Sequence, residues 1–237
     1  IFSTAELPPG KFKGWTRVPP IVRRGALAPK DRAGCRSLLG LDPDRPVLLV
    51  TGASQGAKSI NRFMLSLVHA NANLLRKDGW QIFHQTGNDG TEEALTAYAK
   101  ERIPAVVKPF VQAMGAAWGA ADLAISRCGA GNVAEVWANA VPTIFMPYPY
   151  HKDEHQRKNA EVLVRAGAAK IARDHIEPTP NMVEAGQLVQ SLLLDPAARD
   201  EMRTAFAKLG PADGAATVAR AVWHDGRPTL PPPSSNR

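Results

Sequence analysis

Between residues 46 and 172 short apolar runs alternate with longer amphipathic stretches, and few folds accommodate that pattern. Pro46-Val-Leu-Leu-Val-Thr51 is continuously apolar, as a strand buried on both faces requires. Ser59 to Leu75 then sets Ile60, Phe63, Met64, Leu67 and Val68 at helical spacing. The same reading predicts strands at Gln81 to Thr86, Ala105 to Phe110, Leu123 to Ser126, Thr143 to Met146 and Ala168 to Ala172. It predicts helices at Thr91 to Lys100, Ala113 to Ala120, Asn132 to Asn139 and Glu154 to Ala166. Strand and helix in strict alternation imply right-handed βαβ units, hence an α/β fold built on a doubly wound parallel sheet. Ligands bind such sheets at the carboxyl ends of the strands. The glycine turns at 52–57, 87–90 and 129–131 fall there, as do His84 and the loop after Pro147.

Residues 1–45 are proline-rich with little periodicity beyond Asp31 to Leu39, and read as a linker or interdomain remnant. The folded domain is expected over 46–224, with two or three helices after Thr179. Residues 225–237, dominated by Pro and Ser, cannot bury enough apolar surface to order and read as a disordered tail. The opening residues carry no signal-peptide pattern and no initial Met, as expected of an excerpt starting inside a longer protein.

Composition narrows the function classes. The net charge of +7 is concentrated early: residues 1–46 hold nine Lys or Arg against four acids, or +5. Such a flank suits an anionic surface or a phosphorylated substrate, or is simply solvated. Basic patches interleaved with aromatics are missing, so no nucleic-acid partner is expected. No apolar run reaches the length of a membrane span. Cys35 and Cys128 lie far apart without ligand spacing, and reduced thiols are expected.

The segment richest in chemistry is Arg127-Cys-Gly-Ala-Gly-Asn-Val-Ala-Glu135, a strand end, a glycine turn and a helix start. Gly129 and Gly131 permit positive φ and close approach of a ligand. The unpaired N–H groups of the helix start, with its positive dipole end, suit an anion such as a diphosphate. Glu135, one turn on, can accept two hydrogen bonds from a vicinal diol such as a ribose. Asn132-x-x-Glu135 is equally a capping-box spacing, and both readings stand at this stage.

Other residues admit narrower readings. His151 and His155 are four apart, a helical metal spacing, but no third ligand is evident and no metal is expected. His84 reads as a packed, hydrogen-bonded histidine rather than a catalytic one, and Trp118 and Trp137 read as core. Gly52 to Gly56 is not a Walker loop, because no Lys-Ser or Lys-Thr follows.

Read in order, Gly52-Ala-Ser-Gln-Gly-Ala57, His84-Gln-Thr-Gly87, Pro109 to Met114, Ala121 to Glu135, Pro147 to Gln156 and Asn159-Ala160 resemble the C-terminal half of the MurG family. The resemblance covers about residues 46–172, and more loosely extends to 222. Those enzymes are GT-B glycosyltransferases that move N-acetylglucosamine from UDP-GlcNAc to lipid-linked muramoyl-pentapeptide in peptidoglycan synthesis. The resemblance implies a Rossmann-like UDP-GlcNAc domain. Ser54 would bond the diphosphate, Arg23 would add positive charge, and the Val111 backbone would meet the uracil. Ala130, Gly131, Asn132, Val133, Ala134 and Glu135 would bind phosphate and ribose, and Gln156, with His155 and Asn159 beside it, would contact the sugar. No cofactor is implied, and the enzyme would sit peripherally on the inner face of the cytoplasmic membrane.

The family's Gly-Gly pair is Gly52-Ala53 here, and its Asn-Pro-Val-Arg segment is Pro20-Ile-Val-Arg23. The family's N-terminal acceptor domain has no counterpart in these residues, so no catalytic base is named and this chain alone is expected to be inactive. Three other functions fit the same residues: a half-enzyme needing a separate acceptor subunit, an isomerase like UDP-GlcNAc 2-epimerase, and a plain UDP-sugar binder.

Overall fold

The computed structural model describes residues 1–4, 14–52, 56–150 and 155–224. Ser54, His151 and the tail 225–237 lie outside the described residues. Two short strands, β1 (Phe2–Ser3) and β2 (Thr16–Arg17), pair in parallel ahead of a 3-10 turn at Arg24–Ala26 and helix α1 (Arg32–Leu38). The alternating region follows as β3 (Val47–Thr51), α2 (Lys58–Lys77), β4 (Gln81–Gln85), α3 (Thr91–Lys100), β5 (Ala105–Lys108) and α4 (Met114–Ala120). It continues as β6 (Leu123–Ser126), α5 (Ala130–Asn139), β7 (Thr143–Phe145), α6 (His155–Ala166) and β8 (Ala169–Ile171). Helices α7 (Pro178–Asn181), α8 (Gln187–Leu194), α9 (Pro196–Ala205) and α10 (Gly214–His224) close the described chain. The C-terminal helical segments number three, within the expected two or three: α7 and α8 run on through a π-helical turn at Met182–Gly186, and Asp195 then caps α9 with Pro196 at its first position.

Strands β3 to β8 form one parallel sheet in the order β5-β4-β3-β6-β7-β8. Every residue of β3 is buried, which explains its unbroken apolar run: Leu48 and Val50 face the layer of α2 and α3, Val47 and Leu49 the opposite layer. Strand β5 ends two residues earlier than expected, before Pro109, which has no N–H for the ladder.

The stretch before β3 is tied to this sheet. Asp122 accepts from Arg32 Nη1 (2.6 Å), Arg36 Nη2 (2.7 Å) and the Val47 N–H (2.8 Å), fixing α1 against the start of β3 and β6. At the far end, the Gly214 N–H donates to the Pro20 carbonyl at 3.1 Å, and a Cβ at Gly214 would meet the Pro19 oxygen at 1.9 Å. Glycine there allows α10 to lie directly on the 19–21 backbone.

Candidate functional site

The strand order reverses direction between β3 and β6, whose carboxyl ends lie side by side with Thr51 opposite Ser126. A crevice outside such a reversal is where doubly wound sheets bind ligands. Two of the three glycine turns singled out from the sequence follow these strands, one starting at Gly52 after β3 and the other at 129–131 after β6, and the Arg127 N–H bonds the Thr51 carbonyl at 3.3 Å.

Helix α5 corrects two local expectations. It begins at Ala130 with Gly129 as its N-cap, so Asn132 is inside the first turn and the capping-box reading fails. Asn132 instead donates from Nδ2 to Ser126 Oγ (2.8 Å) and to the Arg127 carbonyl (3.2 Å), tying the helix to the end of β6. Neither Gly129 nor Gly131 takes positive φ, and a Cβ at either would meet nothing within 4 Å. They matter by leaving open space over the helix start rather than by unusual backbone.

The N–H groups of Ala130, Gly131 and Asn132 stand in the first turn, where no helical partner is available. Val133 is the first to bond back, to the Gly129 carbonyl at 3.1 Å. Its side chain and that of Ala134 are buried. The donors without a helical partner thus belong to the first three of the six residues expected there, and Val133 and Ala134 support them from the core.

Glu135 is buried beside this turn, with about a tenth of its side chain accessible. One oxygen accepts from the Trp118 indole N–H at 2.8 Å; the other faces Arg23 Nη2 at 3.3 Å. The structure therefore joins Arg23 and Glu135, 112 residues apart in sequence. Asn139 explains how: its side chain accepts from the Ala28 N–H (2.7 Å) and donates to the Ala26 and Glu135 carbonyls (both 2.8 Å). Gly115 completes the clamp from α4, since a Cβ there would meet the Leu27 oxygen at 2.4 Å. Sequence reading missed Asn139, Gly115 and the polar role of Trp118. A glycine inside a helical run was the one available hint.

Arg127 anchors the other flank. Its guanidinium meets Asp174 at 2.7 Å, Ser59 Oγ at 2.8 Å and the carbonyls of Met146 (2.9 Å) and Pro147 (3.1 Å), all in a buried setting. Burial alone pushes the Asp174 carboxyl up. Hydrogen bonds from Ser59, Ile176 and Asn181 and the Arg127 charge outweigh it and hold the group below the usual carboxylate range. Burial pushes the neighbouring Cys128 thiol up to about 12, only partly offset by Arg127, so this cysteine is not a nucleophile.

Gln156 accepts the Tyr148 N–H at 3.0 Å, and Asn159, one turn on in α6, donates to the Cys128 carbonyl at 3.2 Å. Helix α6 is thereby linked to the glycine turn. Gln156 also borders a cleft of about 680 Å³ shared with Pro147, Arg157, Lys170, Arg173 and Glu184. Among the described residues expected at the site it alone lines that cleft, and Glu135 instead meets Trp118 of α4 and Arg23. Val111 is buried, while adjacent Phe110 is 62% exposed.

His84 is fully buried, between Tyr98 Oη (2.8 Å) and Asn61 Oδ1 (3.1 Å). Asn61 donates its amide hydrogens to the carbonyls of Thr86 and Asp89, so its oxygen accepts from His84 Nε2–H. Burial lowers its pKa to about 3, which removes it as a proton carrier and identifies it as a strut for the 86–90 loop. No set of three or more His, Cys, Asp or Glu able to hold a metal occurs among the described residues.

A six-stranded parallel sheet of this order, with a glycine-turn helix start at its reversal, is the Rossmann-like C-terminal domain of the GT-B glycosyltransferases. The family model for the glycosyltransferase family 28 C-terminal domain matches residues 47–218, and the chain belongs to that family. It is 41% identical over 203 residues to the "UDP-N-acetylglucosamine--N-acetylmuramyl-(pentapeptide) pyrophosphoryl-undecaprenol N-acetylglucosamine transferase" of Rhodococcus erythropolis, covering 84% of this chain and 50% of that one. The enzyme of the same name from Acidithiobacillus ferrooxidans is 38% identical over 174 residues, covering 73% and 47%. The chain thus spans about half the length of the curated relatives it matches. The crystal structure of Acinetobacter baumannii MurG superimposes with a TM-score of 0.69 at 27% identity, over 91% of this chain and 58% of that one. The UDP-GlcNAc 2-epimerase of Neisseria meningitidis, at 10% identity and a TM-score of 0.52, shares the fold alone. No described helix is long and apolar enough to cross a membrane.

Proposed function

We propose that this chain is the donor-binding half of an enzyme that transfers N-acetylglucosamine from UDP-GlcNAc to lipid-linked muramoyl-pentapeptide. The observation carrying this reading is the meeting of Arg23, Glu135 and the free N–H groups of α5 at the sheet reversal, in a chain about 40% identical to transferases of that name. The three N–H groups take the diphosphate, Glu135 takes the ribose hydroxyls, and Gln156, on the α6 side of the same turn, faces the sugar. As the glycosidic bond breaks, the UDP leaving group gains negative charge. Prearranged amides and a nearby guanidinium stabilise that charge more in the transition state than before it. Ser54, in the 52–57 turn, adds a hydroxyl to the diphosphate in this reading.

The lipid-linked acceptor and the general base belong to a second domain that these residues do not comprise, and that domain holds the enzyme peripherally on the inner face of the cell membrane. Residues 1–45 form the approach to it, and 46–224 the donor domain. An isomerase reading draws support only from the shared fold.

Calorimetric titration with UDP tests the assignment. Glu135→Ala is expected to weaken binding by roughly 1 to 3 kcal/mol through lost charged hydrogen bonds. Glu135→Gln retains an acceptor for the Trp118 indole and should fall between the two. Unchanged affinity in the folded Ala variant would remove Glu135 from the site.

A further inference from the structure

We propose that Trp118 is a positioning residue that sets the ribose selectivity of the donor site, by holding the Glu135 carboxylate in one orientation. The inference rests on the donor-site reading above and assigns a role that reading does not need. Trp118 is almost wholly buried, packed in the layer of Leu49, Val133 and Val136, so its ring has one position. A buried indole N–H requires an acceptor, and the acceptor here is Glu135 Oε2 at 2.8 Å.

The two oxygens of Glu135 are held very differently. Oε2 is tied to a buried, immobile ring. Oε1 is met at 3.3 Å by Arg23, whose side chain is 82% exposed and which can withdraw into solvent at little cost. One oxygen is therefore fixed and the other can be released to a ligand. A carboxylate anchored at one oxygen cannot turn about its last torsion, so the lone pairs of the free edge keep a constant direction. Recognition of a vicinal diol depends on that constancy, because both hydroxyls must find acceptors at once; a single hydroxyl could follow a rotating carboxylate. Loss of the indole N–H should therefore cost the diol-bearing ligand more than one lacking a hydroxyl.

The test is calorimetry of the full 237-residue chain with UDP and with 2′-deoxy-UDP, for the unsubstituted protein and Trp118→Phe, which keeps an aromatic ring but removes the donor. UDP affinity should fall roughly threefold to tenfold, the range for one charged hydrogen bond made imperfect, while 2′-deoxy-UDP affinity stays nearly constant. In the Glu135→Ala background the same substitution should change neither. Equal losses for both ligands, or no loss for UDP, would overturn the role of Trp118 and leave the donor site standing. If the unsubstituted chain binds no UDP, the donor-site reading itself falls, and this inference with it. Should Trp118→Phe fold poorly, the indole N–H resonance of Trp118 in the unsubstituted chain decides the matter. It should shift with UDP more than with 2′-deoxy-UDP, and indifference to both would refute the proposal.

Discussion

Replacing Arg127 with methionine should lower the stability of this domain by about 3 to 5 kcal/mol, the cost of leaving a buried partner charge uncompensated. Asp174 has no exposed side-chain surface and faces Arg127 at 2.7 Å, the one cation paired with it among the described residues. The same guanidinium bonds Ser59 in α2 and two carbonyls after β7, and its loss loosens three elements around the candidate site together. Thermal unfolding should shift down by roughly 6 to 20 °C for a domain of this size. The effect has a pH signature with a definite sign. Asp174 titrates lower in the folded chain than in the unfolded one, so its contribution is present above the ordinary carboxylate pKa of roughly 4 and is lost as pH falls through the folded value. The gap between Arg127→Met and the unsubstituted chain should accordingly be widest near neutrality and narrow in acid. Denaturant titrations at both ends check this; a gap that holds constant would assign the loss to packing instead.

Gly56→Ala should cost on the order of 3 kcal/mol and UDP affinity with it, whereas Gly129→Ala should cost stability less than about 0.5 kcal/mol. Gly56 takes φ +73°, and a Cβ would sit 2.0 Å from the Thr86 carbonyl oxygen and 2.7 Å from the Gly87 Cα. Those are backbone atoms that Asn61 holds in place through its bond to the same carbonyl, so they cannot step aside without parting the ends of β3 and β4. Gly129 has φ −60° and open space above it. An alanine there should leave the fold intact while crowding whatever approaches α5. Guanidinium unfolding followed by circular dichroism separates the two, and comparable losses at both positions would contradict the geometry. The sequence offers no way to rank these glycines, because each stands in a short turn after an apolar strand.

What could be read without coordinates was the layout. Burial on both sheet faces demands unbroken apolar runs, and packing helices over them demands a 3.6-residue period. The residues of β3, of β6 up to Ser126 and of α2 satisfy these demands closely enough that the parallel sheet could be read from pattern alone, while β4 is buried in spite of Gln81, His84 and Gln85. Glu135 and the glycine turns could be nominated from the residues themselves, whereas Arg23 could be nominated only through the resemblance to a family.

Their partners were not legible, because those depend on which distant surfaces meet. Asn132-x-x-Glu135 has the spacing of a capping box, but the helix begins two residues earlier and both side chains turn to other tasks. Trp118 looked like simple core because nothing in a helical run of alanines and glycines foretells a carboxylate seventeen residues on. The sequence by itself determined the parallel sheet and the alternation of its elements, since both follow from local periodicity and short connections. The tertiary structure alone decided that Asn139 and Gly115 clamp the 23–28 segment against α4 and α5, bringing Arg23 to Glu135. A hydrogen bond or steric opening between residues about a hundred positions apart leaves no periodic trace in either stretch.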